Sequence, residues 1–303
     1  MLKIAITTTS FGEFDEKPLS LLRDSGFEVV LNSYGRKLEE KEVIELTKDA
    51  IGLIAGTEAL DSKTLAGLPQ LKVISRCGAG IDNVDLEAAE GAGIKVYNTA
   101  DAPTVAVAEL TIGLILGLLR KIPIMHREIS NGLWKKRTGN LLSGKQVGIV
   151  GFGRIGRKVA GLLKEMRANV FYTDPFIIEK GEFAKVKFKE LLKKSDIISL
   201  HLSYSQENRN LLGREEFSLM KQGAFLINAS RGGIVDEDAL YLALKEGRLA
   251  GAALDVFEEE PYKGRLKELD NVILTPHIGS YAKESRIEME MRAVHNLLEG
   301  LGC

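Results

Sequence analysis

Short apolar, β-branched runs recur along this chain, each separated from the next by a segment of helical periodicity. In the first hundred residues the runs are Ile4-Ala5-Ile6-Thr7, Glu28-Val29-Val30-Leu31, Ile51-Gly52-Leu53-Ile54, Lys72-Val73-Ile74-Ser75 and Ile94-Lys95-Val96-Tyr97. Strands that read as nearly continuous apolar stretches are buried on both faces, which is the signature of a parallel sheet. The segments between them carry Leu19 and Leu22, then Val43, Ile44 and Leu46, at helical spacing. Right-handed crossovers of this kind stack helices on both faces of the sheet. The alternation restarts at Gln146-Val147-Gly148-Ile149-Val150. It continues through Val170-Phe171-Tyr172, Asp196 to Leu200, Ala224 to Ile227, Gly251 to Leu254 and Val272 to Leu274. The pattern predicts an α/β protein with two doubly wound parallel-sheet domains.

Between the two series lies the apolar stretch Val105–Leu119, read as a buried helix starting near Pro103; proline suits a first helical turn, where its missing N–H goes unpaired anyway. The stretch contains Glu109 and is too short for a bilayer, which needs about 20 apolar residues. A polar, basic segment from Arg120 to Asn140 follows and holds the chain's single tryptophan, Trp134. The last segment, Ala282 to Glu299, reads as one helix with Ile287, Met291, Val294, Leu297 and Leu298 on one side.

Charge excludes whole classes of partner. Lys plus Arg number 41 and Asp plus Glu 42, a net charge of -1, so no basic excess marks a nucleic-acid or anionic-membrane protein. With 45% hydrophobic residues, disorder is not expected. Cys77 and Cys303 form no disulfide framework, and a reducing, cytoplasmic compartment follows. Met1 to Ser10 carries one Lys and a very short apolar run, so no signal peptide is expected. No metal-ligand cluster is expected.

Gly151-Phe152-Gly153-Arg154-Ile155-Gly156 is a G-x-G-x-x-G that directly follows a predicted strand and opens a helix. That context is what dinucleotide binding requires. The first glycine permits a tight turn, the second lets a pyrophosphate approach the backbone, and the third lets helix and strand pack closely. The phosphates then meet the N–H groups of the helix N-terminus. The next strand ends at Asp174, 18 residues beyond Gly156. An acid there accepts from ribose hydroxyls and repels a 2′-phosphate, so NAD is expected over NADP.

Three polar segments follow late strands: Asn228-Ala229-Ser230-Arg231-Gly232-Gly233, Asp255-Val256-Phe257-Glu258-Glu259-Glu260-Pro261 and Thr275-Pro276-His277-Ile278-Gly279. Strand carboxyl ends face the ligand crevice of an open α/β sheet, so an Arg, a Glu and a His are expected beside the dinucleotide. The set suits hydride exchange with a 2-hydroxy or 2-keto acid. Arg holds the carboxylate or polarises the carbonyl. His exchanges a proton with the substrate oxygen. A buried Glu beside it favours imidazolium.

These residues resemble the D-isomer-specific 2-hydroxyacid dehydrogenases, and within them the D-3-phosphoglycerate dehydrogenase-like branch. The resemblance spans essentially the whole chain. It rests on Arg76-Cys77-Gly78-Ala79-Gly80-Ile81-Asp82-Asn83-Val84-Asp85, Val107-Ala108-Glu109-Leu110, Gly151 to Gly156, Ile227 to Gly232, Leu254 to Phe257 with Glu260-Pro261, and Thr275 to Gly279, in that order.

The resemblance implies a flavodoxin-like substrate domain, 1–99 plus 280–303, and a Rossmann NAD-binding domain, 100–279. It implies Arg231, Glu260 and His277 as catalytic residues, Glu260 being chosen because the family's acid directly precedes the proline. Gly78 and Ala79 match the loop that receives the substrate carboxylate, with Arg231 and His277 also contacting substrate. Thr104, Gly151, Gly153, Arg154, Ile155, Gly156, Asp174, His201, Leu202, Ser203, Ala229, Asp255 and Gly279 match cofactor-lining positions. A homodimer is implied, joined through the helix after Pro103, taken as exposed and apolar, and the excursion around Trp134.

Two departures accompany it. The chain stops at Cys303, where many phosphoglycerate dehydrogenases carry a serine-binding extension, so that feedback module is not expected. Other members place a phosphate-binding Arg in the loop after the third strand, which here reads Ala55-Gly56-Thr57-Glu58. Arg36, or Lys136 and Arg137 of a partner subunit, are the candidate replacements. The implied activity is oxidation of a 3-phosphoglycerate-like acid, at the head of serine biosynthesis. A glyoxylate or hydroxypyruvate reductase is the rival within the class, and an NAD(H)-sensing binding protein the rival outside it.

Overall fold

The computed structural model describes residues 1–177 and 181–303. They divide into two units, Met1–Pro103 with Ser280–Cys303, and Thr104–Gly279.

The first unit runs β1 (Lys3–Ile6), α1 (Lys17–Asp24), β2 (Glu28–Leu31), α2 (Glu40–Thr47), β3 (Ala50–Ala55), α3 (Ser62–Ala66), β4 (Val73–Arg76), α4 (Leu86–Gly91) and β5 (Lys95–Asn98). Its described strands form a parallel sheet of order β2-β1-β3-β4-β5. That is the flavodoxin-like order. The helix starts are chemically marked. Asp61 caps α3 by accepting from the Thr64 N–H at 2.8 Å, and Asp85 caps α4 from the Ala88 N–H at 3.0 Å. Glu39 and Glu42 form a reciprocal capping box on α2, satisfying donors the helix itself leaves unpaired.

Strand pleating sends successive side chains to opposite faces, and β1 shows the result. Ile4 and Ile6 enter one core cluster, with Leu22, Val73, Val294 and Leu297. Ala5 enters the other, with Val43, Leu53, Leu65 and Ile74.

The second unit runs α5 (Thr104–Arg120), α6 (Ile122–Ser130), β6 (Gln146–Val150), α7 (Arg154–Glu165), β7 (Asn169–Thr173), β8 (Ala184–Lys185), α8 (Phe188–Lys194), β9 (Ile197–Leu200), α9 (Arg214–Leu219), β10 (Ala224–Asn228), α10 (Glu237–Lys245), β11 (Leu249–Leu254) and β12 (Val272–Leu274). After it α11 (Lys283–Leu301) returns to the first unit, where Met289, Ala293, Val294 and Leu297 complete one of the two cores. The second sheet is parallel, of order β12-β11-β10-β9-β6-β7-β8. Renumbered within the unit, this is the Rossmann order with one strand added beyond the sixth. The central strands Val147-Gly148-Ile149-Val150 and Ile197 to Leu200 are buried throughout.

Three features of this unit depart from the sequence reading. The helix after Pro103 is buried, as its apolar run implies, and not exposed as the dimer reading takes it: α5 buries Ala108, Leu114, Ile115, Leu118 and Leu119 in its own unit's core. The segment read only as polar and basic contains α6, an amphipathic helix with Pro123 in its first turn. The two-residue strand β8 carries too little sequence to announce itself.

Candidate active site

The switch point of the second sheet lies between β6 and β9, whose chains leave in opposite directions. Gly151 follows β6 there with φ +89, a conformation glycine tolerates at no steric cost. A Cβ on Gly151 would sit 2.4 Å from the His201 carbonyl oxygen, and one on Gly156 would sit 2.2 Å from the Gly151 oxygen. These two glycines let the turn pass β9 and let α7 close on the strand. Gly153 differs: a Cβ there meets nothing within 4 Å. It borders the open space that a pyrophosphate would fill, at the exposed start of α7, where Arg154 and Ile155 begin the helix.

Asp174, at the end of β7, is buried. Its carboxylate accepts from the N–H of Phe152 at 2.7 Å, and from those of Phe176 at 2.8 Å and Ile177 at 3.0 Å. It therefore fixes the glycine loop. Two buried polar atoms of this unit lack a hydrogen-bond partner: Thr104 Oγ1 and His201 Nδ1. Burial alone pushes the His201 imidazole down to about 3, so it is neutral at ordinary pH, with Nε2 bonded to the Ser199 hydroxyl at 2.9 Å. Leu202 is half-buried, Ser203 is exposed and Ala229 is buried.

The three late loops form one assembly. Asn228 accepts from the Ser230 N–H at 3.1 Å and hydroxyl at 2.8 Å, and donates to the Arg231 carbonyl at 3.0 Å. This shapes the turn that presents Arg231, whose guanidinium donates to the Ser230 carbonyl at 2.8 Å. A Cβ on Gly232 would lie 1.8 Å from the Phe257 oxygen, so that turn abuts the loop carrying Glu260 only because residue 232 is glycine. Glu260 accepts from the Phe257 N–H at 3.1 Å, and its other oxygen is 2.9 Å from His277 Nδ1. An ionised carboxylate only accepts, so in this pair Nδ1 carries the proton and Nε2 is the unprotonated nitrogen of the neutral ring.

His277 has φ +53, which is uncommon for a side chain of this size. Its loop is held there by Asp255. The Asp255 carboxylate accepts from the Thr275 hydroxyl at 2.6 Å, the Ile278 N–H at 2.8 Å and the Gly279 N–H at 2.8 Å. Burial raises its pKa, and these bonds oppose the rise. One expectation is corrected: the acid beside the histidine is not buried, since the Glu260 and His277 side chains are 37% and 40% exposed. Solvent weakens such an ion pair, so Glu260 serves as an orienting acceptor more than as a strong perturbing charge. Sequence reasoning missed Glu237, whose carboxylate accepts from the Glu258 N–H at 2.8 Å and ties this loop to α10; nothing in spacing marks such a contact.

In the first unit, Gly78 follows β4. Its N–H already donates to Thr99 Oγ1 at 2.9 Å, and the Ala79 carbonyl accepts from Asn98 at 2.8 Å. Among the candidate phosphate ligands, Arg36 is bound by both terminal nitrogens to Glu42, at 2.8 and 2.7 Å, and Arg137 is bound to Glu128. Among the described residues no group of three or more metal-ligating side chains occurs, and no helix is long and apolar enough to cross a membrane.

An open parallel sheet with a glycine loop at its switch point and an acid ending the next strand defines a dinucleotide-binding unit. Residues 112–279 match the D-isomer specific 2-hydroxyacid dehydrogenase, NAD binding domain. The chain belongs to this family of NAD-dependent oxidoreductases. It is 40% identical over 296 residues to a D-3-phosphoglycerate dehydrogenase of Methanocaldococcus jannaschii, covering 94% of this chain and 55% of that one. It is 42% identical over 256 residues to a glyoxylate reductase of Thermococcus litoralis, covering 80% and 77%. The chain thus spans about half the length of the phosphoglycerate dehydrogenases it matches, 55% and 56% for the two archaeal ones. The crystal structure of the TT0316 protein from Thermus thermophilus superposes with a TM-score of 0.92 at 36% identity, covering 99% and 97%.

Proposed function

We propose that this chain interconverts a D-2-hydroxy acid and its 2-keto acid with NAD. The observation that carries the reading is the Glu260–His277 pair at 2.9 Å, on a loop pinned by Asp255 at the carboxyl end of the same sheet that carries the glycine turn of the NAD-binding unit. The residues present fit the dinucleotide. Gly153 leaves open space at the start of α7, Asp174 ends β7, and Thr104 Oγ1 and His201 Nδ1 are polar atoms still to be partnered. Bound NAD supplies the hydride acceptor or donor.

The chain's own residues do the rest. Nε2 of His277 takes the hydroxyl proton during oxidation and returns it to the carbonyl oxygen during reduction. Glu260 fixes the ring's orientation and the tautomer that leaves Nε2 available. Arg231 provides a planar fork for the carboxylate or carbonyl. The family resemblance gives Gly78 and Ala79 to the carboxylate; with the Gly78 N–H committed to Thr99, Ala79 carries that role. The relatives bear both phosphoglycerate dehydrogenase and glyoxylate reductase names, so the substrate turns on whether a phosphate can be accommodated.

The test is NADH oxidation with phosphohydroxypyruvate, hydroxypyruvate, glyoxylate and pyruvate, run on the wild type and His277→Asn. The variant should lose about 10²- to 10⁴-fold in kcat, the usual share of general acid–base catalysis, while NADH fluorescence titration stays unchanged. Wild-type turnover by the variant overturns the role of His277.

A homodimer fits the surface of the second unit. Ile122, Ile129, Leu133 and Leu141 are each at least half exposed, and Trp134 is 81% exposed. A clustered apolar surface of this kind marks an association site. Trp134→Lys should shift the sedimentation coefficient from dimer to monomer; an unchanged dimer rejects this face.

A further inference from the structure

We propose that Glu237 is a positioning residue for this site: it acts through Glu260, by holding the loop that presents that carboxylate to His277. The proposal rests on the dehydrogenase reading above, and every contact it uses lies within the second unit.

Glu237 stands in the first turn of α10, where an acid suits the helix dipole. The helix does not need its side chain as a cap, because Asp236 already accepts from the Ala239 N–H at 2.9 Å. The Glu237 carboxylate is given instead to the Glu258 N–H at 2.8 Å, 21 residues along the chain. Glu237 is half-buried among other acids. Burial raises its pKa, the bond from the Glu258 N–H opposes the rise, and the charges of Glu258, Asp238 and Glu260 add to it. Acids kept in such surroundings concentrate at functional sites.

Two successive N–H groups of the loop go to two different glutamates. The Phe257 N–H donates to Glu260 at 3.1 Å and the Glu258 N–H to Glu237. The other Glu260 oxygen lies 2.9 Å from His277 Nδ1. Phe257 is itself fixed, its ring buried and stacked on Tyr262 with 4.3 Å between centroids. The Glu258 side chain pairs with Arg209 at 3.0 Å, but both groups are more than half exposed, and solvent makes such a pair weak. The backbone bond to Glu237 is the firmer tie.

Successive backbone N–H groups make a concavity that attracts anions. Without Glu237, the Glu258 N–H is a free donor one residue from the donor that Glu260 already uses, and it competes with Nδ1 of His277 for the Glu260 carboxylate. Glu237 occupies that donor and leaves Glu260 to orient the imidazole.

The experiment measures kcat and KM with the most rapidly reduced of the four keto acids, NADH affinity by fluorescence titration, and a melting curve for each variant. Glu237→Ala should lower kcat by about tenfold, the scale of one lost hydrogen bond to a charged group, with KM and NADH affinity little changed. Glu237→Gln keeps the reach and an accepting oxygen, so it should recover most of the loss. Glu237→Asp keeps the charge but draws the carboxylate back by one carbon, so it should resemble Glu237→Ala; this pair carries the test if Glu237→Ala does not fold. In a Glu260→Ala background, Glu237→Ala should change kcat by less than about twofold, because residues acting through one contact are not additive. Wild-type kcat in Glu237→Ala, losses that multiply in the double variant, or a Gln variant impaired while the Asp variant is not overturns the positioning role alone. A wild type that binds NADH but reduces none of the four keto acids refutes the dehydrogenase reading, and the positioning role falls with it.

Discussion

The two sheets differ in the room beside their strand ends: Gly153 of the seven-stranded unit has open space where a side chain would be, whereas Gly56 of the five-stranded unit is closed over by Glu58. Both units hold buried polar atoms without a hydrogen-bond partner, Thr104 Oγ1 and His201 Nδ1 in the one and Thr8 Oγ1, Thr47 Oγ1, Ser75 Oγ and Arg286 Nε in the other. In the other unit, Thr7, Gly56 and Glu58 close on one another, Arg76 is wrapped by Asn83 and two carbonyls, and Arg286 is paired with Glu290. Both sheets obey the same crossover rule, so architecture alone does not say which edge is prepared for a large charged ligand. The open space at Gly153 against the closed loop at Gly56 is what separates them. A buried polar atom without a partner is costly, and a ligand that supplies the partner removes that cost.

The sharpest way to break the comparison is inside the glycine turn. Gly156→Ala places a methyl 2.2 Å from the Gly151 oxygen and should lower stability by about 2–4 kcal/mol, the range for overpacking with backbone strain. Gly153→Ala has room for its methyl and should keep its melting temperature, yet weaken NADH binding by about tenfold if the space is the pyrophosphate's. Denaturant midpoints together with fluorescence titrations separate the two. Equal effects on stability in both variants would mean the open space is not a ligand's.

Next in size is a pH effect from His201. Its folded pKa, about 3, lies below the ordinary 6.5, so as pH falls the unfolded chain takes up the proton first. The stability this residue contributes is complete above pH 6.5 and drains away between 6.5 and 3, by roughly 2–3 kcal/mol at pH 4 after allowance for partial solvation. Urea unfolding of the wild type and His201→Gln across about pH 7 to 4 checks it. The variant should show the shallower loss, and parallel curves would contradict the neutral, buried imidazole.

Asp174→Ala should have the smallest effect on the fold and a clear one on cofactor choice. It removes the acceptor for the Phe152, Phe176 and Ile177 N–H groups, a cost of about 1–3 kcal/mol. It should also raise NADPH use relative to NADH. A stability loss with no change in that ratio would make Asp174 a brace for the loop and nothing more.

Much of this was legible in the chain. Runs such as Ile51 to Ile54 and Ile197 to Leu200 are apolar on both faces, and only a sheet covered on both sides buries them. The three glycines of the turn were legible because each occupies a place no side chain fits or a ligand must reach. The catalytic candidates were legible as motifs, and the structure adds the hydrogen bond from His277 to Glu260. The two readings of α5, buried helix and exposed dimer face, have a simple origin: an apolar helix looks the same in sequence whether its cover is its own sheet or another subunit. The error over Glu260 is similar, since exposure depends on how far a loop stands off the core.

Local sequence therefore determined the elements, their parallel pairing, the dinucleotide turn and the candidates for the reacting groups, because periodicity, caps and glycine stereochemistry act over a few residues. Tertiary structure alone decided what each polar group touches. Asp255 gathers three donors from a loop 20 to 24 residues away, and Glu58 is drawn inward by Thr7, 51 residues distant. Arg36 and Arg137 are claimed by glutamates on the surface. Charge and hydrogen-bond pairing depend on distance in space, and only the folded chain sets those distances.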